Sequence, residues 1–244
     1  MKRQNLVLRK SSNIKRGRAS INEDNLTSFF NELEESGIKN IPPTNIFNYD
    51  ETALSDDPAA PRILCRRGTR RVEMVREHSK TNTSMMFCGS ASGHLLPLYV
   101  VYKAANLYEG WTTVAPQGSL FNVTKSGWFD KPTFEDWFRK LFIPAVAHLP
   151  GTKVAIGDNL AAHFSVEVVQ LAVKNNIMFI ALPANSTHLL QPLDVAVFRC
   201  VKAKWRQVLG NFRAESRSKG PLPNRKTNEA KFDFWFPNLW LMSS

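Results

Sequence analysis

The chain has 244 residues, of which 43% are hydrophobic and 22% are charged, an ordinary globular composition that suits one α/β domain with extensions. Its formal net charge of +11 favours a polyanionic partner such as nucleic acid. The 3 cysteines are widely separated, which argues against a disulfide framework or a cysteine-pair zinc site, and no apolar run approaches the roughly 20 residues of a membrane span.

The N-terminal segment is strongly basic. Residues 1–18 contain lysines and arginines but no acidic residue, which predicts a basic arm rather than part of the core. Such an arm either stays solvated or contacts the DNA backbone, and both alternatives stay open. Residues 21–36 then form a predicted amphipathic helix, with apolar side chains three and four positions apart, and Gly37 is expected to end it.

The first predicted strand covers residues 46–50 and carries acids only at its end, where Asp50 is followed by Glu51. Such a strand is expected at the centre of the sheet, with Asp50 and Glu51 on opposite faces. The loop that follows is basic and is predicted either to contact DNA phosphates or to form a solvated rim. Its basic side chains are those of Arg62, Arg66, Arg67, Arg70, Arg71, Arg76 and Lys80.

The middle of the chain predicts further elements of the same domain. Residues 84–90 and 95–102 predict an antiparallel hairpin beside the first strand. Residues 106–127 show no clear periodicity and are expected to wrap over one edge of the sheet. Residues 132–147 predict a helix whose apolar stripe belongs to the core. That stripe consists of Phe134, Trp137, Phe138, Leu141, Phe142 and Val146.

A second strand with a terminal acid is predicted over residues 154–158. His163 follows Asp158 closely. It is expected either to hydrogen-bond a neighbouring carboxylate or approach the scissile phosphate, or else to cap a local turn. A helix from about residue 165 to 175 and a strand over residues 177–182 come next. Both acids that end strands therefore belong to one predicted α/β unit.

Residues 183–194 are rich in turn formers and end at Asp194, which precedes a helix predicted over residues 195–212. At 100° per residue, the apolar side chains of this helix fall on the same side as Asp194. A lone carboxylate there is costly unless a metal or another cation offsets its charge. The alternative is a solvated acid favoured by the helix dipole. Within the turn, His188 is predicted to be a structural hydrogen-bond donor rather than a ligand.

Three acids from two strands and one helix are the arrangement of a ribonuclease H-like nuclease core. Four pieces of the sequence, in order, resemble the pogo, Tigger and jerky branch of DDE transposases, which also includes the domesticated centromere protein B. These pieces are residues 48–52, residues 89–97, residues 158–159 with His163, and residues 182–194. The last piece is the most specific, and the resemblance covers roughly residues 20–215.

The resemblance implies an α/β protein with a ribonuclease H-like fold, in which helices cover both faces of a mixed central sheet. It also implies three catalytic, metal-binding carboxylates: Asp50, Asp158 and Asp194. Carboxylates are hard oxygen ligands that suit Mg²⁺ or Mn²⁺, and the family pattern implies two ions, with Asp50 bridging both. Candidates for supporting the carboxylates from nearby are Asn159, His163 and His188. Ala162 departs from the small polar residue that the family usually has before this histidine.

The implied substrate is DNA, cut and joined at transposon ends in the nucleus, and the resemblance allows a homodimer on DNA; no membrane partner is expected. Residues 1–20 look like the remnant of a helix-turn-helix region, residues 21–215 correspond to the catalytic domain, and residues 216–244 are a basic, then aromatic extension. Two alternatives stay open: a domesticated, catalytically inactive DNA-binding or chromatin protein, and a generic magnesium nuclease of the ribonuclease H type.

Overall fold

The computed structural model describes residues 23–55, 82–112, 116–158 and 165–218. The predictions for the basic arm, for the basic side chains from Arg62 to Lys80, and for Asn159 and His163 lie outside these residues. The same holds for the C-terminal extension beyond residue 218. The described residues include all three acids that the sequence singles out.

The described part of the chain contains six strands and six α-helices. Its strands are β1 (Ile46–Ser55), β2 (Asn82–Ser90), β3 (Tyr99–Lys103), β4 (Leu120–Thr124), β5 (Lys153–Gly157) and β6 (Ile177–Ala181). Its α-helices are α1 (Glu23–Glu35), α2 (Lys131–Trp137), α3 (Ile143–Val146), α4 (Val166–Lys174), α5 (Thr187–Leu190) and α6 (Phe198–Ser218). Two π-helical turns, Phe138–Phe142 and Leu193–Val197, join α2 to α3 and precede α6.

The strands form a mixed sheet in the order β4-β3-β2-β1-β5-β6. β1 pairs antiparallel with β2 and parallel with β5, so it lies inside the sheet, as predicted. β2 and β3 are antiparallel, as the predicted hairpin requires. β4 lies parallel to β3, and β6 lies parallel to β5. The carboxyl ends of β1, β3 and β5 therefore point toward the same edge of the sheet.

Helices cover both faces of this sheet. Successive residues of β1 alternate between the faces, and Phe47 and Tyr49 pack with the apolar stripe of α2, its π turn and α3. Leu54 lies on the opposite face and packs with Phe198, Trp205 and other apolar residues of α6. The six predicted stripe residues are all buried, with no more than 4% of any residue exposed. The predicted layer arrangement is confirmed.

One prediction about the strands is wrong, and one strand was not predicted. The sequence predicts that the first strand ends at Asp50, but β1 continues to Ser55, because β2 keeps pairing with it from Phe87 to Asn82. The segment over residues 106–127 contains β4, which was not predicted. All five β4 residues are partly exposed at the edge of the sheet, so the alternation of buried and exposed side chains that marks a strand is weak there.

The predicted helices are present, but two are interrupted by π turns. The turn Phe138–Phe142 lies just before Pro144, whose missing N–H cannot continue the α-helical hydrogen bonds. The helix predicted from residue 195 begins instead with the turn Leu193–Val197, and α6 follows it. A π turn changes the angle between successive residues. The spacing of 100° per residue that places Asp194 on the apolar stripe therefore does not hold in this turn.

Gly157, at the end of β5, packs its backbone against the ring of Tyr49. A Cβ atom at Gly157 would lie 2.7 Å from Cε2 and Oη of Tyr49, and nearer still to Cζ. The ring has little room to move, because it packs against three other aromatic side chains: Phe134, Trp137 and Phe179. The absence of a side chain at Gly157 therefore permits the close packing of β1 and β5 just before Asp158.

We expect Gly157→Ala to lower the free energy of unfolding by about 1–3 kcal/mol, because the added methyl group overpacks the site. Urea unfolding measures this change. Gly210→Ala in α6 is the control, since nothing lies within 4 Å of its Cβ position, and it should stabilise the protein by about 0.5–1 kcal/mol. Equal stability of Gly157→Ala and the wild type would contradict the packing described here.

Candidate active site

Asp50 lies in β1, and Asp158 directly follows the neighbouring parallel strand β5. The register of β1 and β5 pairs Asn48 with Ile156. Side chains two residues further along a strand return to the same face, so this register sets Asp158 beside Asp50 on that face. Both residues are partly buried. The structure thus brings these two predicted site residues together.

Asn48 connects the strand of Asp50 to both other segments of the site. Its Nδ2 donates to the carbonyl oxygen of Ile156 at 3.0 Å and to Oε1 of Gln191 at 2.5 Å. Its Oδ1 accepts a hydrogen bond from the backbone N–H of Leu193 at 3.3 Å. One side chain therefore binds β1 to β5 and to the turn that carries Asp194.

Gln191 completes this connection from a fully buried position, with 0% of the residue exposed. Its Nε2 donates to the carbonyl oxygen of Tyr49 at 3.1 Å, and its side chain also hydrogen-bonds Asp50. The helix α5 ends at Gln191, where the backbone becomes extended, and Pro192 starts the next helical turn. The chain is therefore fixed to β1 immediately before Asp194.

Asp194 lies in the π turn Leu193–Val197 and is exposed, whereas its neighbour Leu193 is buried. The prediction that Asp194 heads the apolar stripe is therefore wrong, because the π turn directs Leu193 into the core in its place. The hydrogen bond between Leu193 and Asn48 nevertheless holds this turn over the face of β1 that carries Asp50. Asp194 lies near Asp50 on the solvent side of the site.

His188 belongs to the turn that precedes Gln191. Its Nδ1 lies 3.1 Å from the carbonyl oxygen of Asn185, a residue with a left-handed backbone at φ 64°. The side chain is partly exposed and makes this hydrogen bond within its own turn. The suggestion that His188 supports the carboxylates stays a prediction.

The charges of the three acids interact. Burial raises the pKa of Asp50 to about 7, and repulsion from Asp194 and from Asp158 adds to the rise. Hydrogen bonds from the Glu51 backbone N–H, at 2.8 Å, and from the Gln191 side chain oppose it. Since electrostatic repulsion falls with distance, both other acids lie close enough to destabilise the Asp50 carboxylate.

Glu51 lies on the opposite face of the sheet, as the sequence predicts for a residue next to Asp50. Burial raises its pKa to about 8, and the charges of Asp50 and Asp130 contribute further. Asp130 caps α2 by accepting a hydrogen bond from the Thr133 backbone N–H at 3.0 Å. Glu51 is therefore part of the aromatic layer rather than of the group formed by Asp50, Asp158 and Asp194.

The donor set suits a hard divalent cation, because carboxylate oxygens are the ligands that Mg²⁺ and Mn²⁺ prefer. A cation would also relieve the repulsion that raises the pKa of Asp50. Within the residues that the structure describes, no three Asp, Glu, His or Cys side chains already surround a common metal position. Binding an ion would require side-chain rotation, for which the exposed Asp194 has room.

Comparison with known families assigns the chain to a family. A family model described as DDE superfamily endonuclease matches residues 79–241, which is more than half of the chain. The chain belongs to this family. The matched span includes Asp158 and Asp194, whereas Asp50 precedes it, and it extends across the aromatic stretch near the C-terminus.

Similar proteins include two Jerky proteins, which confirm the predicted resemblance. Mouse Jerky protein is 25% identical over 190 residues, which cover 70% of this chain and 30% of that protein. Human Jerky protein homolog is 26% identical over 132 residues, covering 50% of this chain and 23% of that protein. A Cochliobolus lunatus protein named MFS-type transporter clz9 is 21% identical over 162 residues, covering 65% of this chain and 18% of that protein.

The DDE chain thus spans less than a third of each of these relatives. The transporter name describes a protein of which the chain covers only 18%. Among the helices of the described residues, none is long and apolar enough to cross a membrane.

Solved structures identify the fold. A Mos1 transposase paired-end complex with the left transposon end matches 99% of this chain and 65% of that chain, with 11% identity and a TM-score of 0.57. A Mos1 paired-end complex with Mg matches the same shares, with a TM-score of 0.54 and 11% identity. These similarities confirm the predicted ribonuclease H-like fold.

Sequence reasoning missed the roles of Asn48 and Gln191 in this DDE core, although both lie in the motifs that carry the resemblance. The sequence contains one signal for Asn48, because a residue two positions before Asp50 in a strand must lie on the same face of the sheet as Asp50. Gln191 gave a second signal, since it is a polar residue between Leu190 and Pro192 in a buried turn. Their contacts connect distant segments and are visible only in the fold.

The raised pKa values predict how stability depends on pH. Because the pKa of Asp50 rises from 3.8 to about 7, the folded protein binds more protons than the unfolded chain in this range. The stabilisation from the protonated carboxyl is complete below about pH 4 and is lost as the pH rises through about 7. The raised pKa of Glu51 extends this loss of stability to about pH 8.

We therefore expect the free energy of unfolding of the metal-free protein to decline between about pH 5 and pH 8 in urea titrations. Asp50→Asn and Glu51→Gln should each flatten part of this decline, whereas the surface control Glu109→Gln should keep it. A wild-type slope that both Asp50→Asn and Glu51→Gln leave unchanged would show that these two acids are not the groups responsible.

Proposed function

We propose that this chain is the catalytic core of a DDE transposase or endonuclease that cuts and joins DNA strands in a metal-dependent reaction. The observation that supports the proposal is that Asp158 and Asp194 both lie close enough to Asp50 for their charges to act on it. Asp158 follows the strand that pairs with β1, and the turn of Asp194 is hydrogen-bonded to Asn48 of β1. Two further carboxylates near the partly buried Asp50 cost stability, and a cation-binding role accounts for this arrangement.

In this proposal, Asp50, Asp158 and Asp194 would hold Mg²⁺ or Mn²⁺. Two such ions, when bound, activate the attacking water or 3′-hydroxyl and stabilise the leaving oxygen. Asp50 is destabilised by both other acids, so a bound cation would favour the ionised form of its carboxylate. Asp194, on the solvent side, would offer its carboxylate where DNA approaches.

DNA is the proposed substrate. The net charge of +11 supports a polyanionic partner, and the basic residues of the arm and of the loop over residues 62–80 supply much of it. Mos1 transposase, which shares the fold, has been solved with a transposon end. A chain that acts on chromosomal DNA would work in the nucleus, and a homodimer on DNA would bring two ends together.

A domesticated, catalytically inactive DNA-binding protein is the second candidate. It is favoured by the open arrangement of the acids, since no three potential ligands in the described parts of the chain enclose a metal position. Cleavage of hairpin or plasmid DNA in the presence and absence of Mg²⁺ separates the two candidates. Cleavage that needs Mg²⁺ and all three acids supports the enzyme, and DNA binding without cleavage supports the inactive relative.

Asp194→Asn tests the proposed metal site, because it keeps the size of the side chain and removes its charge. Wild type should gain about 2.7 kcal/mol of stability at a Mg²⁺ concentration 100 times the dissociation constant. The variant should gain far less and should lose cleavage. Without Mg²⁺ it should be slightly more stable than wild type, because repulsion on Asp50 is relieved.

The control is Asp24→Asn, which removes an exposed acid from the first turn of α1. It should lose about 0.3–1 kcal/mol of helix-dipole stabilisation and keep the full response to Mg²⁺. Melting curves with and without Mg²⁺ measure both quantities. Equal Mg²⁺ responses in wild type and Asp194→Asn would remove Asp194 from the proposed site.

A further inference from the structure

We propose that Asn48 and Gln191 are positioning residues, and that this amide pair, of which Gln191 is fully buried and Asn48 partly buried, sets the separations of Asp50, Asp158 and Asp194. The inference deepens the proposed function and rests on it, since it assigns the geometry of the same site. Neither amide is given a role as a metal ligand or as an acid or base.

Each bond of the amide pair acts close to one of the acids. Asn48 lies two residues before Asp50, and it donates to the carbonyl of Ile156, two residues before Asp158. It accepts from the N–H of Leu193, the residue before Asp194. A displacement of any of the three segments would therefore stretch a bond of this one side chain.

Gln191 holds its own turn in place against β1 and restricts the conformation of the Asn48 side chain. Its Oε1 accepts from Asn48 at 2.5 Å, and its Nε2 donates to the carbonyl of Tyr49 at 3.1 Å. The turn is thus bound to β1 at two points, the Asn48 amide group and the Tyr49 carbonyl. Several hydrogen bonds in a dry environment fix a position far better than apolar packing does.

Only an amide offers both hydrogen-bond donors and an acceptor on one planar group without adding charge. A carboxylate at either position would accept but not donate, and it would place a fourth negative charge beside Asp50. An apolar side chain of the same size would fill the space but leave the turn without its anchor. The chemistry of the two residues therefore fits positioning better than simple space filling.

Asn45 provides an internal comparison at the opposite edge of the sheet. It is buried, with 2% of the residue exposed, and its Nδ2 donates to the carbonyls of Pro150 and Thr152 at 2.8 and 3.2 Å. Like Asn48, it connects the β1 region to the segment of β5, but it does so far from the acids. A comparison of Asn45 with Asn48 therefore distinguishes a general structural role from a role in the site.

The experiment compares Asn48→Leu, Gln191→Met and the control Asn45→Leu with wild type in the full chain. Each substitution keeps the approximate volume and removes the amide. Mg²⁺ affinity is measured by isothermal titration calorimetry, and stability by thermal melting. Asn48→Leu and Gln191→Met should bind Mg²⁺ about 10- to 100-fold more weakly, as changes beside metal ligands typically do. Asn45→Leu should lower the melting temperature and leave the affinity unchanged.

Equal losses of affinity in Asn45→Leu and Asn48→Leu would overturn the inference, because general destabilisation would then explain both. Unchanged affinity in Gln191→Met would also overturn it. If Asn48→Leu fails to fold, Gln191→Met decides the question, since its side chain is unbranched and Asn48 keeps its bond to Ile156.

Crystal structures of metal-free wild type, Gln191→Met and Asn45→Leu separate this inference from the proposed function. The distance between the Cα atoms of Asp50 and Asp194 should change in Gln191→Met and stay constant in Asn45→Leu. An unchanged distance in Gln191→Met overturns the positioning role whatever the wild type binds. A wild type without Mg²⁺ affinity overturns the proposed metal site, and the distances still decide the role of the amides.

Discussion

The site depends on a largely buried polar junction, where three segments of the chain meet. The carbonyls of Tyr49 and Ile156 and the N–H of Leu193 all receive partners there from two amide side chains, Asn48 and Gln191. Leaving a buried donor or acceptor without a partner costs about 1–3 kcal/mol, so alternative placements of the 191–193 turn are strongly disfavoured. The position of Asp194 follows from this requirement rather than from any contact of its own carboxylate.

The alternation of side chains along β1 places structural residues on one face of the sheet and the proposed site residues on the other. Phe47 and Tyr49 point to the aromatic layer, where Tyr49 packs against Phe134 and Trp137, whereas Asn48 and Asp50 point to the other face. The aromatic layer holds β1 against β5 through the contact of Tyr49 with Gly157. Burial of these large side chains stabilises the fold. This stabilisation offsets the repulsion between Asp50, which follows Tyr49 in β1, and the other two acids.

The sequence predicts the parts of the fold that depend on local periodicity. It identifies the central position of β1, the buried stripe from Phe134 to Val146 and the apolar side of α6, because each pattern reports which side of an element is buried. It fails where pairing or hydrogen bonding is set by other segments. β1 continues past Asp50 because β2 pairs with it, and a π turn at Leu193–Val197 displaces Asp194 from the apolar stripe. Asn48 and Gln191 are separated by more than 140 residues in sequence, so only the fold joins them.

The two faces of β1 are also coupled through charge. Burial raises the pKa of Glu51, and the charge of Asp50 raises it further. Burial also raises the pKa of Asp50, and the charges of Asp194 and Asp158 add to that rise. A cation held by Asp50 would favour its ionised form, so metal and proton compete for the same carboxylate. Since the pKa of Asp50 is about 7, this competition falls near neutral pH. Under the proposed function, metal affinity therefore increases as the pH rises through about 7, because fewer protons must be displaced from Asp50 for each ion bound.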